Sequence, residues 1–256
     1  MIHPTAIIDP SSSVDENVKV GPYTVIGANV SIGTGTIIGP HVTINGTTTI
    51  GKNNHIYQFS SIGEDPQDKK YAGDLSYLEI GDNNVIREFT TIHRGTLQDN
   101  NTTIIGSDNL FMAYTHVAHD CVIEDHVILA NAASLGGHVR IGSHVILGGF
   151  SIVHQFCYLG DHCFSAMGSA ITKDVPPFVM VGGRPTKPHG INSVGLDRRG
   201  FSQETILQIK RAYKVLYKTG LTLSEATVRL AEMAQIEPEL NVMVDFFEKS
   251  NRSILR

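Results

Sequence analysis

The sequence predicts a mainly β protein in which a long coil of short strands precedes a small α-helical domain. Three observations support this fold class. Aliphatic residues return every six positions over much of the chain. The composition includes 25 glycines and no tryptophan, which favours short strands separated by tight turns. From about residue 192, the aliphatic spacing changes to that of a helix.

The six-residue period is unbroken from Ile2 to Ile62, where eleven consecutive positions hold Ile or Val. A helix repeats every 3.6 residues and a strand every second residue, so a period of six fits neither. It fits short strands joined by turns, each of which returns one aliphatic side chain to a shared interior. We therefore expect this coil to occupy residues 1–186.

Two lapses interrupt the period. The first falls near 64–77, and the second falls near 94–103, after which the repeat restarts one residue out of phase at Ile105. We expect a loop to leave the coil at each lapse. The repeat itself fades and ends near "DVPPF".

The C-terminal domain is predicted over residues 192–256. Ser202 is a suitable N-cap for a helix that Gly220 would end. Thr222 and Glu225 have the spacing of a capping box, which predicts the start of a second helix.

Bulk properties exclude several functional classes. The 256-residue chain has a formal net charge of −5 and a pI of about 6.2, so it lacks the overall basic charge typical of nucleic-acid binding. No apolar run reaches the length of about 18 residues that a membrane helix needs. Three cysteines are too few for a disulfide framework or a zinc cluster, which predicts a reducing, cytoplasmic location.

The repeat resembles that of the hexapeptide-repeat proteins, which fold as a left-handed parallel β-helix. The handedness and the coil of three hexapeptides, about 18 residues, are implied by that resemblance. Val117, Leu135 and Val153 are 18 residues apart and should therefore stack on successive coils. This stacking predicts one polar patch, which contains His116, His119, His138, His154 and Gln155.

Three interpretations of this patch are open from the residues alone. Histidine is a common metal ligand, and some hexapeptide-repeat trimers are zinc carbonic anhydrases. A histidine can also act as the general base in acyl transfer. The third possibility is a binding or structural surface. Adjacency of His119 and Asp120 does not by itself make a catalytic pair, because consecutive side chains on a strand point in opposite directions.

Several segments occur in an order that resembles one family. They are "YQFSSIGEDPQDKKYAG", "IREFTTIHRGT", "HVAHDC", "LGGHV", "VHQFC" and "GLDRRGF". Together they are similar to the UDP-N-acetylglucosamine O-acyltransferases of lipid A biosynthesis. The resemblance implies transfer of a 3-hydroxyacyl group from acyl carrier protein to the 3-hydroxyl of UDP-N-acetylglucosamine. It also implies a homotrimer and no cofactor or metal. A zinc lyase of the γ-carbonic anhydrase type is the alternative.

The resemblance assigns three catalytic roles. His119 would be the general base, because a sugar hydroxyl is a poor nucleophile near neutral pH. Asp120 would orient the imidazole and stabilise its charged form. Gly137 would offer its backbone N–H to the developing oxyanion.

The resemblance also implies residues that bind the substrates. Asp68 and Lys70 would lie near the sugar and the acyl chain. The other residues would contact the sugar nucleotide or its phosphates; they are His116, His138, His154, Gln155, Asn192, Arg198 and Arg199. Met167 matches the position that limits acyl length, so we expect a shorter 3-hydroxyacyl donor. Val194 replaces the acidic residue that some members use to contact the nucleotide.

Charge is unevenly distributed along the chain. Residues 1–186 carry 9 basic and 17 acidic side chains, a net charge of −8, whereas residues 187–256 carry 11 and 8, a net charge of +3. Four basic residues, Lys210, Arg211, Lys214 and Lys218, fall within about two helical turns. Such a face would attract an acidic carrier protein.

Overall fold

A computed structural model describes residues 1–250 and 252–256. The chain coils through short strands, most of them two residues long. Across the described residues, these strands form three sheets in which successive coils pair in parallel. The last strand differs, because it pairs antiparallel to its neighbour.

The strands are numbered along the chain. The first sheet contains Ile7–Ile8 (β1), Val25–Ile26 (β4), Thr43–Ile44 (β7), Ser61–Glu64 (β10), Thr91–His93 (β13), His116–Val117 (β16), Ser134–Leu135 (β19), Ile152–Val153 (β22) and Ala170–Ile171 (β25). The second contains Ser13–Val14 (β2), Val30–Ile32 (β5), Thr47–Ile50 (β8), Tyr77–Ile80 (β11), Thr102–Ile105 (β14), Val122–Ile123 (β17), Arg140–Ile141 (β20) and Tyr158–Leu159 (β23). The third contains Lys19–Val20 (β3), Ile37–Ile38 (β6), His55–Ile56 (β9), Val85–Ile86 (β12), Leu110–Phe111 (β15), Ile128–Leu129 (β18), Ile146–Leu147 (β21), Phe164–Ser165 (β24), Val179–Gly182 (β26) and Lys187–Ile191 (β27).

The repeating aliphatic side chains form the interior of the coil, as the period predicts. Ile44, Ile62 and Leu147 are completely buried in this column. Burial of one such side chain contributes about 1.5–3 kcal/mol. Each hexapeptide therefore adds one apolar residue to a continuous core.

The corners between strands place many residues in the left-handed backbone region. Asn29, Asp120 and His126 have φ values of 60°, 58° and 59°. Asn, Asp and His tolerate this region better than most residues other than glycine. These corners turn the chain from one sheet to the next.

Strand pairing continues beyond the predicted end of the repeat. Ser165 on β24 pairs with Val181 on β26, after a segment that contains Pro176 and Pro177. The coil therefore continues after the six-residue period is lost near "DVPPF". Only 16 residues separate Ser165 from Val181, so a search for a period of six loses this pair.

The C-terminal segment is helical, as predicted. It contains Ser193–Arg198 (α1), Gln203–Lys218 (α2), Leu223–Ala234 (α3), the 3₁₀ helix Pro238–Leu240 and Asn241–Lys249 (α4). The side chain of Ser202 caps α2, and Thr222 forms the predicted capping box with Glu225 at α3. Among the described residues, none of the helices is both long and apolar enough to cross a membrane.

Candidate active site

The histidine patch lies at the corner that follows strands β16 and β19. His119 comes two residues after β16, and His138 comes three residues after β19. Val117 pairs with Leu135, which pairs with Val153, so the predicted stacking of these coils is confirmed. The register brings residues from different repeats to one edge of the coil.

His119 and Asp120 form a hydrogen-bonded pair although they are consecutive in sequence. The distance from His119 Nδ1 to Asp120 Oδ2 is 2.8 Å. Asp120 occupies the left-handed region at the corner, so the alternation of side chains along a strand does not apply there. A carboxylate only accepts hydrogen bonds, so Nδ1 carries the hydrogen and Nε2 is free to accept a proton.

The Asp120 carboxylate is fully buried and has further partners. Thr96 donates from its backbone N to Oδ1 over 2.9 Å and from its hydroxyl to Oδ2 over 2.6 Å. The backbone N of Asp120 donates to the hydroxyl of Thr103. Burial alone would raise the pKa of Asp120, but hydrogen bonds from His119 and Thr96 hold that pKa below its usual value. The carboxylate is therefore fixed in its charged form.

His138 lies beside this pair and has a carboxylate partner of its own. Its Nδ1 is 2.9 Å from Asp99 Oδ2 and 3.9 Å from Asp120 Oδ2. The rings of His119 and His138 meet edge to face with centroids 5.0 Å apart. On its other side, His138 stacks on Phe156 at 4.3 Å. Both imidazoles are thus held by a carboxylate and by packing.

Gly137 lies directly beneath the His119 ring. A Cβ atom at this position would come within 2.6 Å of His119 Cε1 and 2.7 Å of Nε2. Any side chain here would therefore displace the imidazole. The position therefore requires glycine to leave space for the His119 ring, in addition to the expected oxyanion role.

A second pair of histidines, the buried His93 and the half-buried His116, lies next to the first. His116 Nδ1 is 2.7 Å from the hydroxyl of Thr91, and the His116 ring packs edge-on against His93. Burial lowers the pKa of His116, and the neighbouring His119 lowers it further. Burial likewise lowers the pKa of His93 to about 4. Both rings are therefore neutral near pH 7.

His154 and Gln155 lie one coil further along and are exposed. His154 Nδ1 is hydrogen-bonded to the backbone O of Gln155, which also accepts from Arg252. Within residues 1–250 and 252–256, no hydrogen bond joins either residue to His119. The patch therefore consists of a compact centre and a more open upper part.

Asp68 and Lys70 lie on the loop between β10 and β11. The backbone N of Lys70 donates to Asp68 Oδ1, which closes a local turn. The buried Arg94 anchors the loop base, since its guanidinium donates to Gly63 O and the Asp65 carboxylate. The hydrogen bonds of this loop do not include His119 in the described part of the chain.

The residues from the helical region occupy a different corner. Asn192 is buried and caps α1, and its Nδ2 donates to His162 O. Arg199 Nη2 donates to His144 O over 2.9 Å, whereas Arg198 is exposed. The side chain of Asn192 therefore already has structural partners, while that of Arg198 points to solvent.

Met167 projects from the coil and is 79% exposed. It precedes Gly168, which lines an open groove of about 490 Å³ with Phe150, Ile152 and Arg184 among others. The groove walls are mostly apolar, which suits a hydrocarbon chain.

Sequence reasoning missed Thr96 and Asp99. Both lie between β13 and β14, inside the second lapse of the repeat. No period places such residues, and their partners Asp120 and His138 are 24 and 39 positions away. The available signal was the predicted loop itself, which had to rejoin the coil just before the histidine patch.

The geometry also bears on metal binding. Ligand atoms of His119, Asp120 and His138 lie within 4.8 Å of one another, a spacing that a metal ion could use. Both Nδ1 atoms already donate to carboxylates, and the same geometry suits acid–base chemistry. Similarity to known proteins distinguishes metal binding from acid–base chemistry.

Two family models match the chain. One, described as UDP N-acetylglucosamine O-acyltransferase, domain 2, matches residues 174–255. The other, described as bacterial transferase hexapeptide (six repeats), matches residues 11–46 and 102–137. The matches cover the helical region and parts of the coil.

Full-length relatives are similar throughout. An acyl-[acyl-carrier-protein]–UDP-N-acetylglucosamine O-acyltransferase of Thiobacillus denitrificans is 54% identical over 255 residues, which cover 100% of this chain and 99% of that protein. The solved structure of LpxA from Acinetobacter baumannii has a TM-score of 0.97 and 48% identity, covering 100% of this chain and 99% of that one. The UDP-N-acetylglucosamine O-acyltransferase of Moraxella catarrhalis RH4 has a TM-score of 0.98 and 47% identity with the same coverage.

These likenesses confirm the predicted fold class, a left-handed parallel β-helix with a small C-terminal helical region. They also confirm that the enzyme class is acyltransferase. The zinc lyase alternative has no support among these relatives.

Proposed function

Because the chain belongs to the UDP-N-acetylglucosamine O-acyltransferase family, we propose that it transfers a 3-hydroxyacyl group from acyl carrier protein to the 3-hydroxyl of UDP-N-acetylglucosamine. This is the first step of lipid A biosynthesis. The observation that carries the proposal is the His119–Asp120 pair, whose Nε2 is free to accept a proton. Sequence similarity over the full length to proteins named as acyltransferases, 54% identity in one case, supports the same reaction.

His119 acts as the general base. Nε2 takes the proton of the sugar 3-hydroxyl as its oxygen attacks the thioester carbonyl, which forms the C–O bond. The C–S bond then breaks, and the proton passes from His119 to the departing thiolate. Asp120 stabilises the imidazolium between these steps, because its buried carboxylate accepts the Nδ1 hydrogen throughout.

Gly137 stabilises the oxyanion of the tetrahedral intermediate through its backbone N–H. One such donor is worth about 3 kcal/mol. The closeness of Gly137 to the His119 ring supports this role, since base and donor must flank the same carbonyl.

The remaining substrate contacts come from several segments. His116 and His138 adjoin the base and bind the sugar, with His154 and Gln155 one coil further along. Arg198 and Arg199 bind phosphate, since a guanidinium can donate to two oxygens at once. Asn192 contacts the nucleotide. Asp68 and Lys70 bind the sugar and the start of the acyl chain, and Met167 closes the end of the groove.

A homotrimer with sites between subunits would bring these segments together. A column of rings on one corner supports this arrangement. Phe59, Phe89 and Tyr114 are exposed and stack with centroids 5.1 and 4.9 Å apart. Exposed aromatic surface of this kind marks protein–protein contacts. The basic face of α2 would then bind acyl carrier protein. A cytoplasmic location remains a prediction.

The test is an acyl-transfer assay with purified protein. UDP-N-acetylglucosamine is incubated with a series of 3-hydroxyacyl carrier proteins, and products are identified by mass spectrometry. We expect an O-acylated sugar nucleotide, formed fastest with a short donor. No product with any donor would overturn the proposal.

A further inference from the structure

The loop between β13 and β14 leaves the coil and returns next to the catalytic pair. Thr96 donates twice to Asp120, once from its backbone N and once from its hydroxyl. Asp120 Oδ2 therefore accepts from both the Thr96 hydroxyl and His119 Nδ1. These bonds fix both the position and the rotation of the carboxylate.

The same loop reaches the second histidine through Asp99. The Asp99 carboxylate is 2.9 Å from His138 Nδ1. Asn101 N donates to Thr96 O, and Asp99 N approaches the same oxygen, so the loop closes on itself. One short segment thus holds a partner for each of the two imidazoles.

We propose that Thr96 and Asp99 are positioning residues for the transfer reaction, Thr96 acting through Asp120 on His119 and Asp99 acting through His138 on the sugar nucleotide. This inference rests on the proposed function. Thr96 prevents the Asp120 carboxylate from rotating away from Nδ1, which keeps the His119 hydrogen there and Nε2 free. Asp99 fixes the same tautomer in His138, so that its Nε2 faces the substrate with a constant hydrogen-bonding character.

The side chains of Thr96 and Asp99 form hydrogen bonds with ionisable groups of the site, Asp120 and His138. These partners argue against a role confined to loop folding. A loop-folding threonine would satisfy backbone groups, as the Thr48 hydroxyl does at Asn45 O. Thr96 instead uses its hydroxyl on the buried carboxylate. Partners of this kind orient functional groups in the way that outer-shell residues orient metal-bound histidines.

Thr96→Val tests the first role, because valine keeps the shape and the backbone N–H but removes the hydroxyl. We expect kcat to fall about 10- to 100-fold, the loss expected for a hydrogen bond to a charged group. The KM for UDP-N-acetylglucosamine should change less than about twofold, and Thr96→Ser should restore kcat. Thr90→Val is the matched control, since Thr90 shares a buried hydroxyl contact with Thr115 away from the pair. That control should leave kcat unchanged.

Asp99→Asn tests the second role. We expect the KM for UDP-N-acetylglucosamine to rise about tenfold with a smaller change in kcat. Asp125→Asn is the control, because Asp125 accepts from Ser107 N on another corner. Wild-type kinetics in Thr96→Val and Asp99→Asn would overturn this inference alone, as would losses that serine does not rescue. An inactive wild-type protein would overturn the proposed function as well.

Discussion

Two columns of histidines in the described part of the chain differ in register and in surroundings. One column holds His119 and His138 at the corner after the first sheet, but these two are 19 residues apart, so that His138 is in register with Asp120 rather than with His119. The other holds His126, His144 and His162, spaced 18 residues apart at another corner. In the second column, successive rings stack nearly parallel, with centroids 4.7 and 4.8 Å apart. Stacking of like residues thus follows from the repeat alone.

Hydrogen bonds from the imidazoles to carboxylates distinguish the two columns within the described residues. Asp120 and Asp99 accept from the histidines of the first column. In the second column, burial lowers the pKa of His144 and, to about 3, that of His162, and nearby cationic groups contribute. A histidine column therefore becomes a candidate site where a corner aspartate and a loop outside the repeat accept hydrogen bonds from its imidazoles.

Replacing one histidine from each column should give the largest contrast. We expect His119→Gln to lower kcat by about 10²–10⁴-fold, because a general base contributes that much. His126→Gln should retain wild-type turnover, since His126 is exposed in the other column. Steady-state acyl transfer measures both variants. Equal losses would show that the columns do not differ in function.

Gly137→Ala tests the same contrast between the columns, because it should displace the His119 ring without removing it. The new Cβ would collide with His119 Cε1 and Nε2. We expect kcat to fall about 10- to 100-fold, since displacement by about 1 Å can have this effect.

The matched variant for that experiment is Gly142→Ala, where a Cβ would meet Asp161 Oδ1 beside the second column. It should lower the melting temperature and leave kcat intact. A comparable loss of kcat in both variants would contradict a specific role for the space above Gly137.

Met167→Gly extends the contrast to the corner that borders the apolar groove. Under the proposed acyl-length role of Met167, removal of its side chain should shift the preferred donor to longer 3-hydroxyacyl chains. We expect about a tenfold change in relative kcat/KM, the value of a few methylene contacts. Competition between donors of different length measures this ratio. An unchanged preference would show that another residue limits chain length.

The smallest expected effect concerns stability and pH. Burial depresses the pKa of folded His162 to about 3, below the value of 6.5 for an exposed histidine. Between these values, the unfolded chain holds a proton that the folded protein lacks, so stability falls as the pH falls. The slope is up to about 1.4 kcal/mol per pH unit.

His162→Phe should keep the ring stack and reduce that slope. The free energy of unfolding measured in urea between pH 6 and pH 4 tests this. His126→Phe, at the exposed end of the same column, should retain the wild-type slope. Identical slopes in all three proteins would show that His162 does not titrate with folding.

The interior was predictable because each hexapeptide must bury one aliphatic residue. Ile44 and Ile62 follow this rule and are completely buried. Val181 also pairs within the coil, but a spacing of 16 residues hid it from a six-residue period. The division into domains at residues 186 and 192 stays a prediction.

The candidate site was only partly predictable. Stacking of Val117 on Leu135 followed from the repeat and placed the histidines together. Thr96 and Asp99 lie on a loop whose path depends on tertiary contacts rather than on any period. Substrate roles for individual residues remain predictions. Arg199, for example, donates a hydrogen bond to the backbone O of His144 rather than to a residue of the histidine patch.

Register across the two loops has an evolutionary consequence. Ile50 pairs with Ile80, and Ile80 pairs with Ile105, although 30 and then 25 residues separate them. The coil closes in the same way whatever the length of the detour, and doubling a flexible loop costs only about 0.6 kcal/mol. Insertions at this edge can therefore be gained, lost and selected without re-registering the core. The scaffold and the specificity of such a protein can therefore evolve independently of each other.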